Sequence, residues 1–176
     1  MEPLCGLCLR DLCLRATSAI PDPPARRPRP ALDAHGQAFH GRFRLSRCLD
    51  AKQRQTQGGV VQTWACDPTN LNQLWHIDVA SGLIKNRDGI CLDHGGATYQ
   101  NGGSVFMWAC DPTDKNQRLR FDPATGQIRS DLGGCLDASE RQTNGGKVIM
   151  WPCSAGNVNQ QWMARAVEGK LGELPV

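Results

Sequence analysis

The 176-residue chain has no long apolar run, little net charge and only four histidines. A bilayer-spanning helix needs about 20 consecutive apolar residues, and the longest candidate, near Leu4 to Leu14, is broken by Arg10 and Asp11. Membrane insertion is therefore not expected. The same segment makes a poor secretory signal, because its charges fall where the apolar stretch should be, although Ala16 to Ala19 is a run of small residues. The formal charge of +3 is unevenly spread: residues 1–47 carry eight Arg against four acids, and residues 48–176 carry twelve basic and thirteen acidic side chains. The larger part is near neutral, which argues against a nucleic-acid partner and against a polybasic membrane surface. His35, His40, His76 and His94 stand in no constellation with a nucleophile, so intrinsic catalysis is not expected. Helical stripes are also missing, since Gly, Asn, Asp or Pro interrupts the chain every few residues.

What the chain has instead is a threefold internal repeat. Cys48-Leu49-Asp50 returns as Cys91-Leu92-Asp93 and as Cys135-Leu136-Asp137, at spacings of 43 and 44 residues. Gly58-Gly59 returns as Gly102-Gly103 and Gly145-Gly146. Trp64-Ala65-Cys66 returns as Trp108-Ala109-Cys110 and Trp151-Pro152-Cys153, and Asn72-Gln73 as Asn116-Gln117 and Asn159-Gln160. Two residues after each Gln comes Trp75, Leu119 or Trp162. Three units are too few for a typical propeller of about four to eight blades. Segments 60–66, 105–110 and 148–153 read as strands behind paired-glycine turns. Their alternation puts Val61 and Thr63, Val105 and Met107, and Val148 and Met150 on a core face, with Trp64, Trp108 and Trp151 opposite. Three short-stranded units that share one core and expose no edges imply closure about a pseudo-threefold axis.

This triplicated pattern resembles the ricin B-chain type lectins and the family 13 carbohydrate-binding modules over roughly residues 36–171. The resemblance implies an all-β fold, a β-trefoil of three repeats of about 43 residues, built from twelve short strands. The repeats fall at about 36–81, 82–125 and 126–168, after a Cys- and Pro/Arg-rich tail of residues 1–35 expected to be disordered; residues 172–176 form a second tail. Leu119 departs from the Trp of the pattern and keeps that position apolar at a loss of aromatic volume. Repeat logic and the resemblance together pair Cys48 with Cys66, Cys91 with Cys110 and Cys135 with Cys153, one of 15 connectivities open to six cysteines. Each bridge contributes on the order of 3 kcal/mol and implies an oxidising compartment, hence a secreted or extracellular protein.

The resemblance also implies carbohydrate binding, and the residues suit it. A sugar ring needs a flat apolar surface and a few fixed polar groups. Asp50, Asp93 and Asp137 offer carboxylates to neighbouring hydroxyls, Trp64, Trp108 and Trp151 offer stacking faces, and Asn72, Asn116 and Asn159 offer both donor and acceptor. The family's pockets use these positions together with Gln73, Gln117 and Gln160, although each Gln also has a structural reading as a loop brace. Gln62 is a further contact position in the first repeat, replaced by Phe106 and Ile149 in the others. Shallow sites of this kind bind near millimolar, about 4 kcal/mol, so three of them favour a polymer or a glycosylated surface through avidity. Galactose-type or xylan-like glycans are the expected partners, without a cofactor and without a metal. An accessory module of a glycoside hydrolase or toxin, and a trefoil used for protein contact, are the alternatives.

Three features fall outside the repeats. Cys5, Cys8 and Cys13 are odd in number, and a zinc site joining them to His35 or His40 lacks a matched second pair. Residues 21–30, rich in Pro and Arg, read as an extended linker. Gly169-Lys170-Leu171 follows Trp162 as Gly82-Leu83-Ile84 follows Trp75 and Gly126-Gln127-Ile128 follows Leu119, and Gly36-Gln37-Ala38-Phe39 competes for the same place at the front. One such strand is surplus, so either the chain is a fragment or the surplus strand overlaps the closure.

Overall fold

The computed structural model describes residues 5–9, 47–96 and 100–166. These form a closed β-trefoil. The first repeat contributes β1 (Cys5–Leu9), β2 (Arg47–Ala51), β3 (Gly59–Ala65) and β4 (Leu74–Asp78). The second contributes β5 (Leu83–Asn86), β6 (Cys91–His94), β7 (Gly103–Trp108) and β8 (Leu119–Asp122). The third contributes β9 (Gln127–Ser130), β10 (Cys135–Asp137), β11 (Gly146–Lys147), β12 (Ile149–Trp151) and β13 (Trp162–Ala166). Among the described residues thirteen strands stand where twelve were expected, because the long strand of the third repeat is split at Val148: β11 pairs with β3 while β12 pairs with β7 and β10.

A ring of antiparallel pairings and a set of three inter-repeat pairs hold the repeats together. In one, β3 pairs with β7, β7 with β12, and β11 with β3. In the other, the last strand of each repeat pairs with the first strand of the next in one register: Trp75 opposite Asn86, Leu119 opposite Ser130 and Trp162 opposite Leu9. Pairing strands of one repeat with strands of the next is how a small sheet limits edge-to-edge association.

The paired glycines make the ring possible. Gly58, Gly102 and Gly145 have φ of +73°, +77° and +79°, a region that side chains with a Cβ enter at a cost. The following glycines have no space for a Cβ, which at Gly59 would lie 2.2 Å from the Gln53 carbonyl and at Gly146 2.3 Å from that of Glu140. The amides of Gly58, Gly102 and Gly145 donate to the carbonyls of Met107, Met150 and Thr63 respectively, each in a neighbouring repeat.

The core is the one expected from strand phase. Val61, Thr63, Val105, Met107, Val148 and Met150 are all buried. Trp75, Leu119 and Trp162 are fully buried at the equivalent position. The indole Nε1 of Trp75 donates to the Leu49 carbonyl at 3.0 Å, and that of Trp162 to the Leu136 carbonyl at 2.9 Å. Leu119 keeps the packing but has no N–H to donate. The three bridges Cys48–Cys66, Cys91–Cys110 and Cys135–Cys153 are present, each with Cα atoms 5.0 Å apart.

Within the segment read as a tail, Cys5–Leu9 forms a strand. Leu7 and Leu9 are fully buried in the core, and β1 pairs with β13, β2 and β4. It takes the place that β5 and β9 hold in the other repeats: Cys8 lies opposite Cys48 as Lys85 lies opposite Cys91 and Arg129 opposite Cys135. Repeat spacing misses it because Lys85 and Arg129 lie a few residues before their cysteines, whereas residues 10–46 intervene before Cys48. The Gly36–Phe39 and Gly169–Leu171 segments, the remainder of residues 1–35, and residues 172–176 lie outside the described residues. Among the described residues no helix is long and apolar enough to cross a membrane.

Candidate functional site

Each repeat carries the candidate residues on the same three elements. The carboxylate comes from the strand after the first cysteine, the indole from the end of the long strand, and the amide from a short 3-10 helical turn at Leu71–Gln73, Lys115–Gln117 or Val158–Gln160. Asp50, Asp93 and Asp137 are buried at the floor, while Trp64, Trp108 and Trp151 are 40–42% exposed. Asn72, Asn116 and Asn159 are half-buried. Strand alternation produces this contrast, because Leu49, Leu92 and Leu136 beside each carboxylate point into the core. The far edge of each indole rests over a turn glycine of another repeat: Trp108 over Gly58, Trp151 over Gly102 and Trp64 over Gly145, each 3.9 Å from where a Cβ would stand. Trp108 also meets Phe106 edge to face, with ring centroids 5.9 Å apart.

The glutamines brace the site. Gln73, Gln117 and Gln160 are buried, and each uses both amide protons inside the protein. They donate at 2.9 Å to the carbonyls of Ala65, Ala109 and Pro152, and at 3.2, 2.8 and 3.1 Å to Oδ2 of Asp50, Asp93 and Asp137. Their oxygens accept from the amides of Asp67, Asp111 and Ser154 at 2.9 Å. A fixed, hydrogen-bonded carboxylate is what a ligand hydroxyl requires, since none of the ordering then has to occur on binding.

The sequence reading did not single out Asn70, Asp114 and Asn157. Each caps the 3-10 helical turn by accepting from the amide two residues on. Asn70 and Asn157 also donate from Nδ2 to Oδ2 of Asp50 and Asp137, at 3.0 and 2.7 Å. The signal was available as a third recurrence, an Asx residue two places before each Asn-Gln. In the second repeat the capping residue is Asp114, which has no N–H to give. Burial pushes the Asp93 carboxyl above its ordinary value; the bond from Gln117 opposes that, and the nearby Asp114 charge adds to it.

The three sites are therefore unequal. At Asp50, Gln62 Nε2 donates to Oδ1 at 3.2 Å while Asn70 and Gln73 hold Oδ2. Arg54 fixes the Asn72 amide by donating to its Oδ1 at 3.0 Å, and is itself paired with Asp88 at 2.6 Å. At Asp137 the bonds from Asn157 and Gln160 both fall on Oδ2, and among the described residues no side chain donates to Oδ1. Here the surface forms a cleft of about 180 Å³ lined by Asp137, Ser139, Ile149, Trp151, Asn157 and Asn159. That is below the roughly 300–1,000 Å³ of sites for drug-sized ligands, and its scale is that of a single ring.

A buried carboxylate, an exposed indole and a half-buried amide recur around the trefoil, and the chain belongs to the ricin-type beta-trefoil lectin domain family, whose model matches residues 31–119 and 80–171. No curated protein matches it in sequence. Among solved structures, a designed 3-fold symmetric protein, ThreeFoil, is 25% identical with a TM-score of 0.58, over 69% of this chain and 91% of that one. The earthworm R-type lectin C-half, solved with GalNAc, is 21% identical with a TM-score of 0.54, over 68% of this chain and 90% of that one. The agglutinin from Abrus precatorius is 22% identical with a TM-score of 0.54, over 67% of this chain and 42% of that one.

Proposed function

We propose that the chain binds glycans non-covalently through its third-repeat cleft, with the first-repeat site as a second contact and the second-repeat site the weakest. The observation that carries this reading is the cleft itself, where a buried, braced Asp137 lies beside an exposed Trp151 and a half-buried Asn159. Asp137 Oδ1 accepts from two neighbouring ring hydroxyls, Asn159 donates to or accepts from one of them, and the C–H face of the ring lies on Trp151. Ile149 supplies an apolar wall where the first repeat has Gln62. Galactose-type rings suit this arrangement, because one face is apolar enough to stack while adjacent hydroxyls project toward a single carboxylate.

In the second site Asp114 stands where Asn70 and Asn157 donate to the carboxylate, so Asp93 lacks that brace, and Phe106 takes the place of the polar Gln62. One ring in one shallow site contributes about 4 kcal/mol. Useful affinity then comes from engaging more than one repeat on a branched or polymeric target. The same residue types recur at matching positions in all three repeats, as binding groups do, which supports a non-catalytic module. The three disulfides fit a secreted or extracellular setting.

A glycan array probed with the oxidised protein, repeated with free galactose and with soluble xylan as competitors, tests the reading. Binding to galactose-terminated glycans that galactose removes is expected. Competition by xylan alone would move the assignment to xylan-like chains, and a blank array from a folded protein would overturn carbohydrate binding.

A further inference from the structure

The loops that follow β2 and β10 share one length and one pattern of hydrogen bonds but differ in charge. The amides of Thr56 and Thr143 donate to the carbonyls of Gln53 and Glu140, and those of Gly59 and Gly146 to the carbonyls of Thr56 and Thr143. The Gln53 and Glu140 side chains accept from the amides of Val60 and Lys147, at 3.2 and 3.3 Å. This equivalence puts Lys52 at the place where Ser139 lines the third-repeat cleft. Lys52 is exposed, and the second repeat has Gly95 there. Residues 52–58 hold two cations, Lys52 and Arg54, and no acid, whereas residues 139–145 hold Glu140 and Arg141.

The hydrogen bonds differ in the same sense. Asp50 receives three side-chain donors, Gln62 on Oδ1 and Asn70 and Gln73 on Oδ2, whereas Asp137 receives two, both on Oδ2. Arg54 occupies the Asn72 Oδ1 at 3.0 Å, so Asn72 meets a ligand through its Nδ2 donor. The first site is thereby poorer in acceptors and richer in donors than the third.

We infer that the first-repeat site selects a sugar bearing an oxyanion, a hexuronate carboxylate or a sulfate ester. Lys52 is the cation that recognises the anion, Asn72 Nδ2 is a fixed donor to it, and Arg54 is the residue that positions Asn72. The inference rests on the glycan-binding reading and gives one of its sites a substrate class. Hydrogen bonds to an ionised acceptor are stronger than those to a hydroxyl. Asp88 already pairs with Arg54 at 2.6 Å, so the attraction falls to Lys52, and an exposed pair of this kind yields roughly a threefold preference.

The full oxidised chain, labelled with ¹⁵N, is titrated at neutral pH with galactose, galacturonate and galactose 6-sulfate, and the indole N–H resonances of Trp64 and Trp151 are followed. Trp64 should reach half its shift at a roughly threefold lower concentration of an anionic sugar than of galactose, and the difference should shrink in high salt. Trp151 should show no such preference. The arm to which Trp64 responds, carboxylate or sulfate, names the anion. Lys52→Ser, which copies the third repeat, should bring Trp64 to parity between the sugars, and Ser139→Lys should give Trp151 the preference. Galactose moving Trp64 as readily as both anionic sugars would overturn the inference and leave the glycan-binding reading standing. If none of the three sugars moves Trp64 or Trp151, that reading falls and the inference falls with it.

Discussion

Gln160→Ala separates a brace from a ligand contact. The Gln160 side chain is fully buried and makes four hydrogen bonds: to Asp137 Oδ2 at 3.1 Å, to the Pro152 carbonyl at 2.9 Å, from the Ser154 amide at 2.9 Å and from Gln127 Nε2 at 3.3 Å. Truncation leaves the Pro152 carbonyl and the Ser154 amide without that partner and opens a small void. Pro152 and Ser154 are exposed residues, so water makes good part of the loss; at the lower end of about 1–3 kcal/mol for each group left unpaired, with the void added, the expected loss is about 3 kcal/mol. For a protein of this size that lowers Tm by about 6–12 °C. Differential scanning calorimetry with the disulfides intact reads it directly. Glycan binding should weaken as well, since Asp137 then keeps only Asn157 as a side-chain donor. A variant as stable as the parent that no longer binds glycan would refute the bracing role and make Gln160 a direct contact.

Trp151→Ala should remove binding at the third repeat while changing stability by about 1 kcal/mol or less, since the indole is largely on the surface; urea unfolding and glycan capture measured together check this. Gly145→Ala should cost about 1 kcal/mol, because φ is +79° but the new Cβ meets nothing nearer than Gln62 at 3.7 Å. Gly146→Ala should cost several times more, since its Cβ would lie 2.3 Å from the Glu140 carbonyl and 2.5 Å from the Thr63 hydroxyl. Urea midpoints rank the two glycine variants, and a reversed order would contradict the packing. Burial holds the His94 imidazole below its ordinary pKa of 6.5, with Nε2 2.8 Å from the Ser130 hydroxyl. The unfolded chain therefore takes up the proton first, and stability, full above pH 6.5, is lost as pH falls from there toward the folded value. Asp93 has the opposite sign: its raised carboxyl makes stability fall as pH rises from 3.8 through the folded value. Stability measured from pH 4 to 8 should show both slopes, and Asp93→Asn should abolish only the acid one.

The trefoil was legible because its evidence is repeated. Cys-Leu-Asp, the paired glycines and Asn-Gln recur at nearly constant spacing, and strand phase alone placed Val61, Val105 and Val148 inside and the three tryptophans outside. The first strand was not legible, because residues 10–46 separate Cys5–Leu9 from the rest of its repeat and Cys8 and Leu9 replace the polar Lys85 and Asn86. Only tertiary pairing reveals that Leu7 and Leu9 complete the core. The candidate site was read from its recurring Asp, Trp and Asn positions. The division of labour within it was not legible, because whether Gln160 faces a ligand or a carboxylate depends on side-chain geometry that spacing does not encode. Asn70 and Asn157 were overlooked for a similar reason: a residue that caps a turn looks ordinary until its Nδ2 is seen on the carboxylate.

The five tryptophans provide the most direct test of carbohydrate binding through these repeats. The Trp75 and Trp162 indoles are buried and bonded to the Leu49 and Leu136 carbonyls, whereas Trp64, Trp108 and Trp151 face the candidate sites. The indole N–H resonances are followed in a ¹⁵N-labelled sample titrated with galactose, and with xylo-oligosaccharide in parallel. Trp151 should shift at the lowest sugar concentration, Trp64 next and Trp108 last or not at all, while Trp75 and Trp162 stay fixed. Titration to tens of millimolar of either sugar without movement of Trp64, Trp108 or Trp151 would contradict the account.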